Sequence, residues 1–158
     1  MRLTVYTDYA LRVLIYVALK RPEATTINEI AQSYRISRNH LMKVVHRLGV
    51  LGYLETVRGK GGGIRLAQTP SKINLADVVR NTEEDMALVE CFQSGPPRCC
   101  IQPECVLRGA LQTALDAFLR VLNRYTLHHL IQPNRELKQL LAIPKSGPTH
   151  QSRNASRG

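Results

Sequence analysis

A glycine-rich run in the middle of the chain limits what the residues around it can form. Residues 58–63 read Arg-Gly-Lys-Gly-Gly-Gly, which is too rich in glycine for a helix or for the interior of a strand. Residues 53–57 and 64–67, on either side, read as short strands. Because glycine adopts turn conformations at low cost, this arrangement predicts a β-hairpin.

Helical patterns precede this hairpin. Thr7 is predicted to cap a first helix that runs to about Lys20, and Pro22 ends it. The sequence Thr26-Ile-Asn-Glu29 is a capping box that opens a second helix, and Ser37 is predicted to cap a third. The predicted buried faces, at helical spacing, are Leu11, Leu14, Ile15, Ala18 and Leu19, then Ile27, Ile30 and Ala31, then Leu41, Val44, Val45 and Leu48.

The region after the hairpin is also predicted to be mainly helical. Asn74 is expected to cap a helix over residues 73–81, and Pro103 lies at the predicted start of a long helix that reaches about Tyr125. The predicted fold is therefore mainly α with a small β-hairpin wing, a winged helix-turn-helix plus a long dimerisation helix. The predicted parts are a winged-helix domain at 1–82, a cysteine-bearing loop at 83–106, the long helix and a C-terminal helix at 103–143, and a disordered tail at 144–158.

The charge of the chain suits a polyanionic partner. The formal net charge is +10 at pH 7, and only three of the cations lie in the tail, so the remaining residues are basic as well. Such a charge favours binding to nucleic acid through attraction and counterion release, although a soluble protein with a high pI and no such partner is an equally good interpretation of charge alone.

The predicted third helix and the wing carry the side chains that a DNA-reading unit needs. In such a unit the N-terminal residues of the third helix reach base edges in the major groove, and a basic wing tip enters the minor groove. The candidate residues are Ser37, Arg38, Asn39, His40 and Lys43 on the helix, and Arg58 and Lys60 in the wing. A solvated helix face and a flexible loop would explain each feature separately. Together, on a basic chain, they predict binding to duplex DNA.

Four cysteines lie within residues 91–105, at Cys91, Cys99, Cys100 and Cys105. Zinc sites normally take their ligands from two tightly spaced pairs, one on each side of the metal ion. This loop has only one tight spacing, from Cys100 to Cys105. The irregular spacing favours an iron–sulfur cluster, which soft thiolates hold. Free or regulatory thiols are the alternative.

A heptad pattern runs along the predicted long helix. Leu107, Leu111, Ala114, Phe118, Val121 and Tyr125 are separated by alternating steps of four and three residues. This spacing predicts a seam that pairs with a second copy of the chain, or else packs on its own domain. His128 and His129 follow the helix and are expected to be surface or capping residues rather than metal ligands.

Several of these motifs resemble those of one family. They are Leu3-Thr4, Thr7-Asp8-Tyr9 and Leu11-Arg12, then residues 37–43 and 57–66, the cysteines Cys91, Cys99 and Cys105, and Tyr125-Thr-Leu127. From residue 1 to about 143 the chain resembles the Rrf2 family of small winged-helix iron–sulfur regulators, and within it the repressors that sense nitric oxide.

The resemblance implies a homodimer that carries an iron–sulfur cluster, of the 4Fe–4S type with 2Fe–2S as the alternative. It implies three cysteine ligands per subunit, matched here by Cys91, Cys99 and Cys105, and a fourth ligand from Asp8 of the partner subunit. As a residue of this sequence alone, Asp8 is an acid at a helix start that complements the helix dipole. The family pattern has one cysteine where this chain has two, so Cys100 remains an alternative to Cys99.

The predicted function is that of a homodimeric repressor whose cluster is damaged by nitric oxide, which releases an operator. The first alternative is a winged-helix regulator that senses iron–sulfur status or thiol oxidation. The second is a metal carrier or an enzyme, but no nucleophile–base arrangement supports one. Residues 1–9 are too polar for a signal peptide and no apolar run is long enough to span a bilayer, so we expect a cytoplasmic protein without a membrane partner.

Overall fold

The computed structural model describes residues 2–93, 95, 99–132 and 134–144. Its helices are α1 (Val5–Lys20), α2 (Ile27–Tyr34), α3 (Arg38–Val50), α4 (Leu75–Thr82), α5 (Val106–Asn123), α6 (Leu127–Leu130) and α7 (Asn134–Leu140), and its strands are β1 (Leu54–Val57) and β2 (Gly63–Leu66). The predicted class, mainly α with a hairpin wing, is confirmed. In the part of the chain that the structure describes, no helix has the length and apolar character needed to cross a membrane.

Helix α1 begins earlier than the sequence predicted. Thr4, not Thr7, is its N-cap, and the Thr4 Oγ1 accepts a hydrogen bond from the Thr7 amide at 3.2 Å. Thr7 is fully buried instead, and its hydroxyl donates to Thr82 Oγ1 on α4 at 3.0 Å. The cap falls at Thr4 because this residue gains a second partner, Glu83, whose Oε1 accepts from the Thr4 amide at 2.9 Å.

Helix α1 is the central element of the core, and it contacts α3, α4, α6, α7 and β2. The predicted stripe was too narrow, because neighbours on several sides bury more of the helix than one amphipathic face. Leu11 and Ile15 are only partly buried. The buried positions of α1 are Thr7, Ala10, Val13, Leu14, Tyr16, Val17, Ala18 and Leu19.

Helices α2 and α3 form the helix-turn-helix pair. The capping box predicted at Thr26 and Glu29 is present. Arg35 ends α2 in the left-handed conformation, with φ +55° and ψ +44°, which gives the sharp turn into α3. Ser37 occupies the N-cap position of α3, but its side chain makes no capping hydrogen bond, so the predicted cap is correct in place and wrong in mechanism.

The hairpin of β1 and β2 forms the wing, residues 54–66. The strands are antiparallel, with Leu54 opposite Leu66 and Val57 opposite Gly63. The sequence placed the strand ends one residue differently, which is the usual uncertainty of boundaries. An extra bridge that the sequence did not predict joins Ile64 to Thr25, just before α2.

The second half packs onto this core through α4, α5 and α6. Asn74 caps α4 as predicted, with its Oδ1 accepting from the Ala76 amide at 2.8 Å. Pro103 lies in a 3₁₀ turn, Gln102–Glu104, rather than at the first position of the long helix, and α5 itself ends at Asn123, not Tyr125. Leu127 of α6 is 1% exposed and carries the chain back to the core.

The end of α7 returns to the DNA-binding half. Leu141 and Ile143 are buried in the same cluster as α1 and α3. The Ser33 hydroxyl of α2 donates to the Leu141 carbonyl at 2.9 Å. Residues 1–82 therefore share their core with the C-terminal segment. Beyond Pro144, the tail predicted to be disordered lies outside the described residues.

Candidate functional site

The N-terminal half of α3 presents a polar face to solvent. Leu41, Val44 and Leu48 point into the core, and Leu41 is 0% exposed. The opposite side of the helix therefore faces solvent. All of the predicted DNA-contacting positions on this helix are exposed, namely Ser37, Arg38, Asn39, His40 and Lys43. The structure therefore leaves these side chains available to a ligand.

Helix α1 contacts α3 through two tyrosines. The Tyr6 hydroxyl donates to the carbonyl of Lys43 at 3.4 Å, and the rings of Tyr9 and His40 lie 6.4 Å apart. Burial raises the pKa of Tyr6, while the nearby Arg47 guanidinium lowers it, so burial is the larger effect. The tyrosines make the position of α3 depend on that of α1.

Further exposed side chains extend the same face of α3. Met42, His46 and Arg47 are exposed, and none of them was among the predicted contacts. Helical periodicity gives the missing signal, because positions three and four residues beyond Lys43 share its side of the helix. Arg47 adds a cation to the face, and Met42 adds apolar surface at 42% exposure.

The wing adds two exposed cations, Arg58 and Lys60. Its other arginine, Arg65, forms an ion pair with Glu55 across the strands at 2.6 Å. Among the residues that the structure describes, neither Arg58 nor Lys60 has an ion-pair partner. Because α3 packs against β1, the two wing cations belong to an element that contacts α3 directly.

The four cysteines are free thiols in the structure. Cys91 is half-buried in a 3₁₀ turn, Glu90–Phe92, whereas Cys99 and Cys100 are exposed. Cys105 is the N-cap of α5, where its Sγ accepts a hydrogen bond from the Arg108 amide at 3.4 Å. The described residues contain no group of three or more His, Cys, Asp or Glu side chains arranged to hold a metal ion.

A contact between side chains joins the ends of the cysteine region. The guanidinium carbon of Arg108 lies 5.8 Å from the centre of the Phe92 ring, within the range of a cation–π interaction. Phe92 follows Cys91, and Arg108 is in the first turn after Cys105. The two outer cysteines are thus carried by elements that touch each other.

Asp8 lies on the first part of α1 with its side chain 46% exposed. Arg12 holds it in an ion pair with an N–O distance of 2.8 Å. The Arg12 guanidinium is also 5.8 Å from the ring centre of Tyr34, whose pKa burial raises to about 12. Among the described residues, Asp8 is not part of any group of three or more His, Cys, Asp or Glu side chains arranged to hold a metal ion.

The heptad residues of α5 are largely open to solvent in the protomer. Leu107, Val121 and Tyr125 are 65%, 50% and 45% exposed. Ala114 is exposed, and Leu111 and Phe118 are half-buried. Leu115, which lies off the seam, is the α5 residue buried in its own domain. Packing within the protomer therefore leaves most of the seam uncovered.

The two histidines after α5 act within their own turn. The His129 Nδ1 accepts hydrogen bonds from the amide and hydroxyl of Thr126, both at 3.0 Å, and completes a capping box for α6. His128 bonds to Gln132. Both histidines are exposed, as expected, and the capping residue, His129, caps the start of α6 rather than the end of α5.

The sequence matches a known family over most of its length. A model of the Rrf2 family, described as iron-dependent transcriptional regulators, matches residues 3–133. The chain is 53% identical over 144 residues to the HTH-type transcriptional regulator NsrR of Bacillus subtilis, covering 90% of this chain and 99% of that protein. It is 52% identical over 142 residues to NsrR of Geobacillus kaustophilus, covering 89% and 97%.

Solved structures share the fold. CymR of B. subtilis, called a global cysteine regulator, superposes with a TM-score of 0.68 at 27% identity, covering 82% of this chain and 95% of CymR. IscR of T. potens superposes with a TM-score of 0.69 at 19% identity, covering 93% and 94%. These relatives are regulators and not enzymes. The chain belongs to the Rrf2 family of transcriptional regulators.

Proposed function

We propose that this protein is a homodimeric repressor that binds a duplex DNA operator through α3 and the wing, in the cytoplasm. The observation that carries the proposal is the division of α3 into a fully buried side at Leu41 and an exposed polar side. Arg38 suits bidentate contact with guanine and Asn39 with adenine, while Lys43, Arg58 and Lys60 suit phosphates or the minor groove. In a dimer, two such helices read half-sites about 34–36 Å apart.

Selection from a random-sequence duplex library tests this proposal. The wild-type dimer should enrich a site with twofold symmetry, and log affinity for it should fall linearly with log salt at about 0.9 per phosphate contact. Failure to enrich any site, or an affinity that is independent of salt, would contradict DNA recognition by this surface.

The proposed cofactor is an iron–sulfur cluster held by Cys91, Cys99 and Cys105, with Asp8 of the partner subunit as the fourth ligand. The donor set fits the group in chemistry, because the thiols are free and soft sulfur donors are the ligands that iron–sulfur clusters use. Asp8 is half-exposed, and among the described residues of its own chain it joins no group of side chains arranged to hold a metal ion, which suits a ligand that reaches across a dimer. The 4Fe–4S type is proposed, with 2Fe–2S as the alternative.

Anaerobic preparations of single Cys→Ala variants test the ligand set. Iron and sulfide per chain should be lost in the Cys91, Cys99 and Cys105 variants and retained in Cys100→Ala. The opposite result for Cys99 and Cys100 would move the ligand by one residue. Asp8→Ala should keep a cluster that decays faster in air, because one iron loses its protein donor.

The proposed signal is nitric oxide. When bound, the cluster supplies iron that reacts with nitric oxide, and the protein's part is to convert that damage into a movement. Asp8 lies on α1 between Tyr6 and Tyr9, which contact Lys43 and His40 of the reading helix. Release of Asp8 would therefore leave α1, together with α3 that packs on it, free to turn as one unit relative to the partner subunit.

Titration of the selected site with loaded, cluster-free and nitric-oxide-treated protein at one salt concentration tests the switch. A hundredfold loss of affinity requires about 2.7 kcal/mol. Equal affinity in the three states would remove the cluster from the control of DNA binding.

The second candidate function is sensing of thiol oxidation or of iron–sulfur status. The adjacent, exposed thiols of Cys99 and Cys100 favour it, because exposed thiols are open to oxidants. Peroxide, but not nitric oxide, would then release DNA, and the Cys100→Ala variant would change the response.

A further inference from the structure

The loop-side end of β2 is joined by backbone hydrogen bonds to Thr25, which lies just before the N-cap of α2. The Thr25 amide donates to the Ile64 carbonyl and the Ile64 amide donates to the Thr25 carbonyl, both at 2.8 Å. Thr25 is 0% exposed and Ile64 is 6% exposed, so water does not compete for these bonds. The hairpin is therefore attached to a third, single-residue strand on one side.

Gly63 is the residue that allows this attachment. A Cβ atom built on Gly63 would lie 2.5 Å from the carbonyl oxygen of Thr25 and 2.9 Å from its carbonyl carbon. Both are backbone atoms that the bridge holds in place, so no side-chain movement relieves the clash. A side chain at this position would push β2 away from Thr25.

The tip of the wing closes on itself at Gly62, whose amide donates to the Gly59 carbonyl at 2.9 Å and where a Cβ would lie 2.5 Å from the Val57 carbonyl oxygen. Gly59 and Gly61 are open, since they have positive φ values, +91° and +79°, and a Cβ on either would meet nothing within 4 Å. Arg58 and Lys60 therefore project from a loop that packs on the loop-side end of its own strands. The direction in which they project depends on how the strands beneath the loop are held.

Thr25 itself is held by the start of α2 and the end of α1. Thr26 and Glu29 form the capping box that follows it, and Lys20 of α1 pairs with Glu29. The contacts from Lys20 to Ile64 link β2 to the end of α1 and the start of α2, and β2 also packs directly on α1. The wing is therefore supported through β2 as well as through the packing of β1 on α3.

We infer that Gly63 is a positioning residue for DNA binding, which sets the aim of Arg58 and Lys60 by letting β2 dock on Thr25. It touches no DNA itself. This inference rests on the proposed function, since it assumes that the wing cations meet phosphate or the minor groove.

Hydrogen exchange on the wild-type protein gives the first test, and it requires no variant. The amides of Thr25 and Ile64 should exchange much more slowly than those of Lys60 and Gly61 at the tip. Equal exchange of these two pairs of amides would overturn the inference, because the bridge to Thr25 would then hold β2 no more firmly than the tip is held.

The second test is a double-mutant cycle measured on the site that the wild-type protein selects and on an unselected duplex of equal length. Gly63→Ala should weaken binding to both and flatten the salt dependence. For every phosphate that the variant no longer neutralises, the ratio of affinities at 50 and 200 mM salt should become about 3.5-fold smaller. Preference for the selected site should be retained, because α3 is unchanged.

The matched background is the Arg58→Ala/Lys60→Ala variant. Adding Gly63→Ala to it should change neither affinity nor salt slope, since no wing cations remain to be aimed. An equal loss in both backgrounds would assign Gly63 to the fold or to α3 and overturn the inference. Wild-type protein that selects no site would defeat the proposed function, whereas normal binding by Gly63→Ala would defeat this inference alone.

Discussion

The substitution Leu107→Ala should weaken the association of protomers more than it lowers the free energy of unfolding of the protomer. Leu→Ala removes three carbon atoms, worth roughly 0.8 kcal/mol each when fully buried. Leu107 is 65% exposed in the protomer, so burial of its side chain by a partner contributes about two thirds of that free energy to association. A twofold symmetric dimer buries Leu107 of both protomers, so the substitution should cost roughly 3 kcal/mol, or about a hundredfold in the dimer Kd.

Sedimentation equilibrium over a range of protein concentrations measures this change, and Leu115→Ala is the matched control on the same helix. Leu115 is 6% exposed in the protomer, so its truncation should lower the free energy of unfolding by about 2–5 kcal/mol and leave the association of folded protomers nearly unchanged. If Leu107→Ala behaves like Leu115→Ala and keeps the wild-type Kd, the seam packs within its own domain and the reasoning fails.

Three further predictions concern the reading helix, a capping box and a helix end. Arg38→Ala should cost about 1–3 kcal/mol on the selected site and less on unselected DNA, and equal costs in a binding titration would reduce Arg38 to a phosphate contact. Burial opposes ionisation of Glu29, but hydrogen bonds from Lys20 and Thr26 outweigh burial and lower the pKa of Glu29. The ionised carboxylate therefore stabilises the fold above the ordinary pKa of 4.5, and this stabilisation is lost on acidification below that pH. In urea unfolding measured against pH, Glu29→Gln should lose less stability on acidification than the wild type does. Ala142 has φ +50°, so Ala142→Gly should raise the free energy of unfolding by about 0.5–1 kcal/mol, and a decrease would deny strain at this residue.

Features determined by neighbouring residues were predictable. The capping box at Thr26 and Glu29 and the cap at Asn74 involve residues at most three positions apart, and both are present. The wing was predictable because a run of glycines between apolar segments has few other structures. The exposed face of α3 followed from helical spacing of its buried residues.

Features determined by distant residues were not predictable. Thr4 and Thr7 are equally good caps by type, and Glu83, 79 residues away from Thr4, decides between them. The bridge from Thr25 to Ile64 joins segments with no shared pattern, and only a folded chain shows that Gly63 has no room for a side chain. The arrangement of the cysteines belongs to this class as well, since spacing identifies donors but does not position them.

The packing of α1 explains why one helix can serve both the proposed cofactor and the proposed DNA contact. Val13, Leu14 and Val17 are 0% exposed, and a close-packed helix of this kind moves as a rigid element rather than deforming locally. Its exposed side carries Asp8, and Tyr6 and Tyr9, within about one helical turn of Asp8, meet α3. A change of one ligand bond at Asp8 would then act on the whole helix. Because β2 is held at Thr25, five residues after the end of α1, the same movement would reach the wing and α3 together, so the proposed control of DNA binding needs no separate path to each.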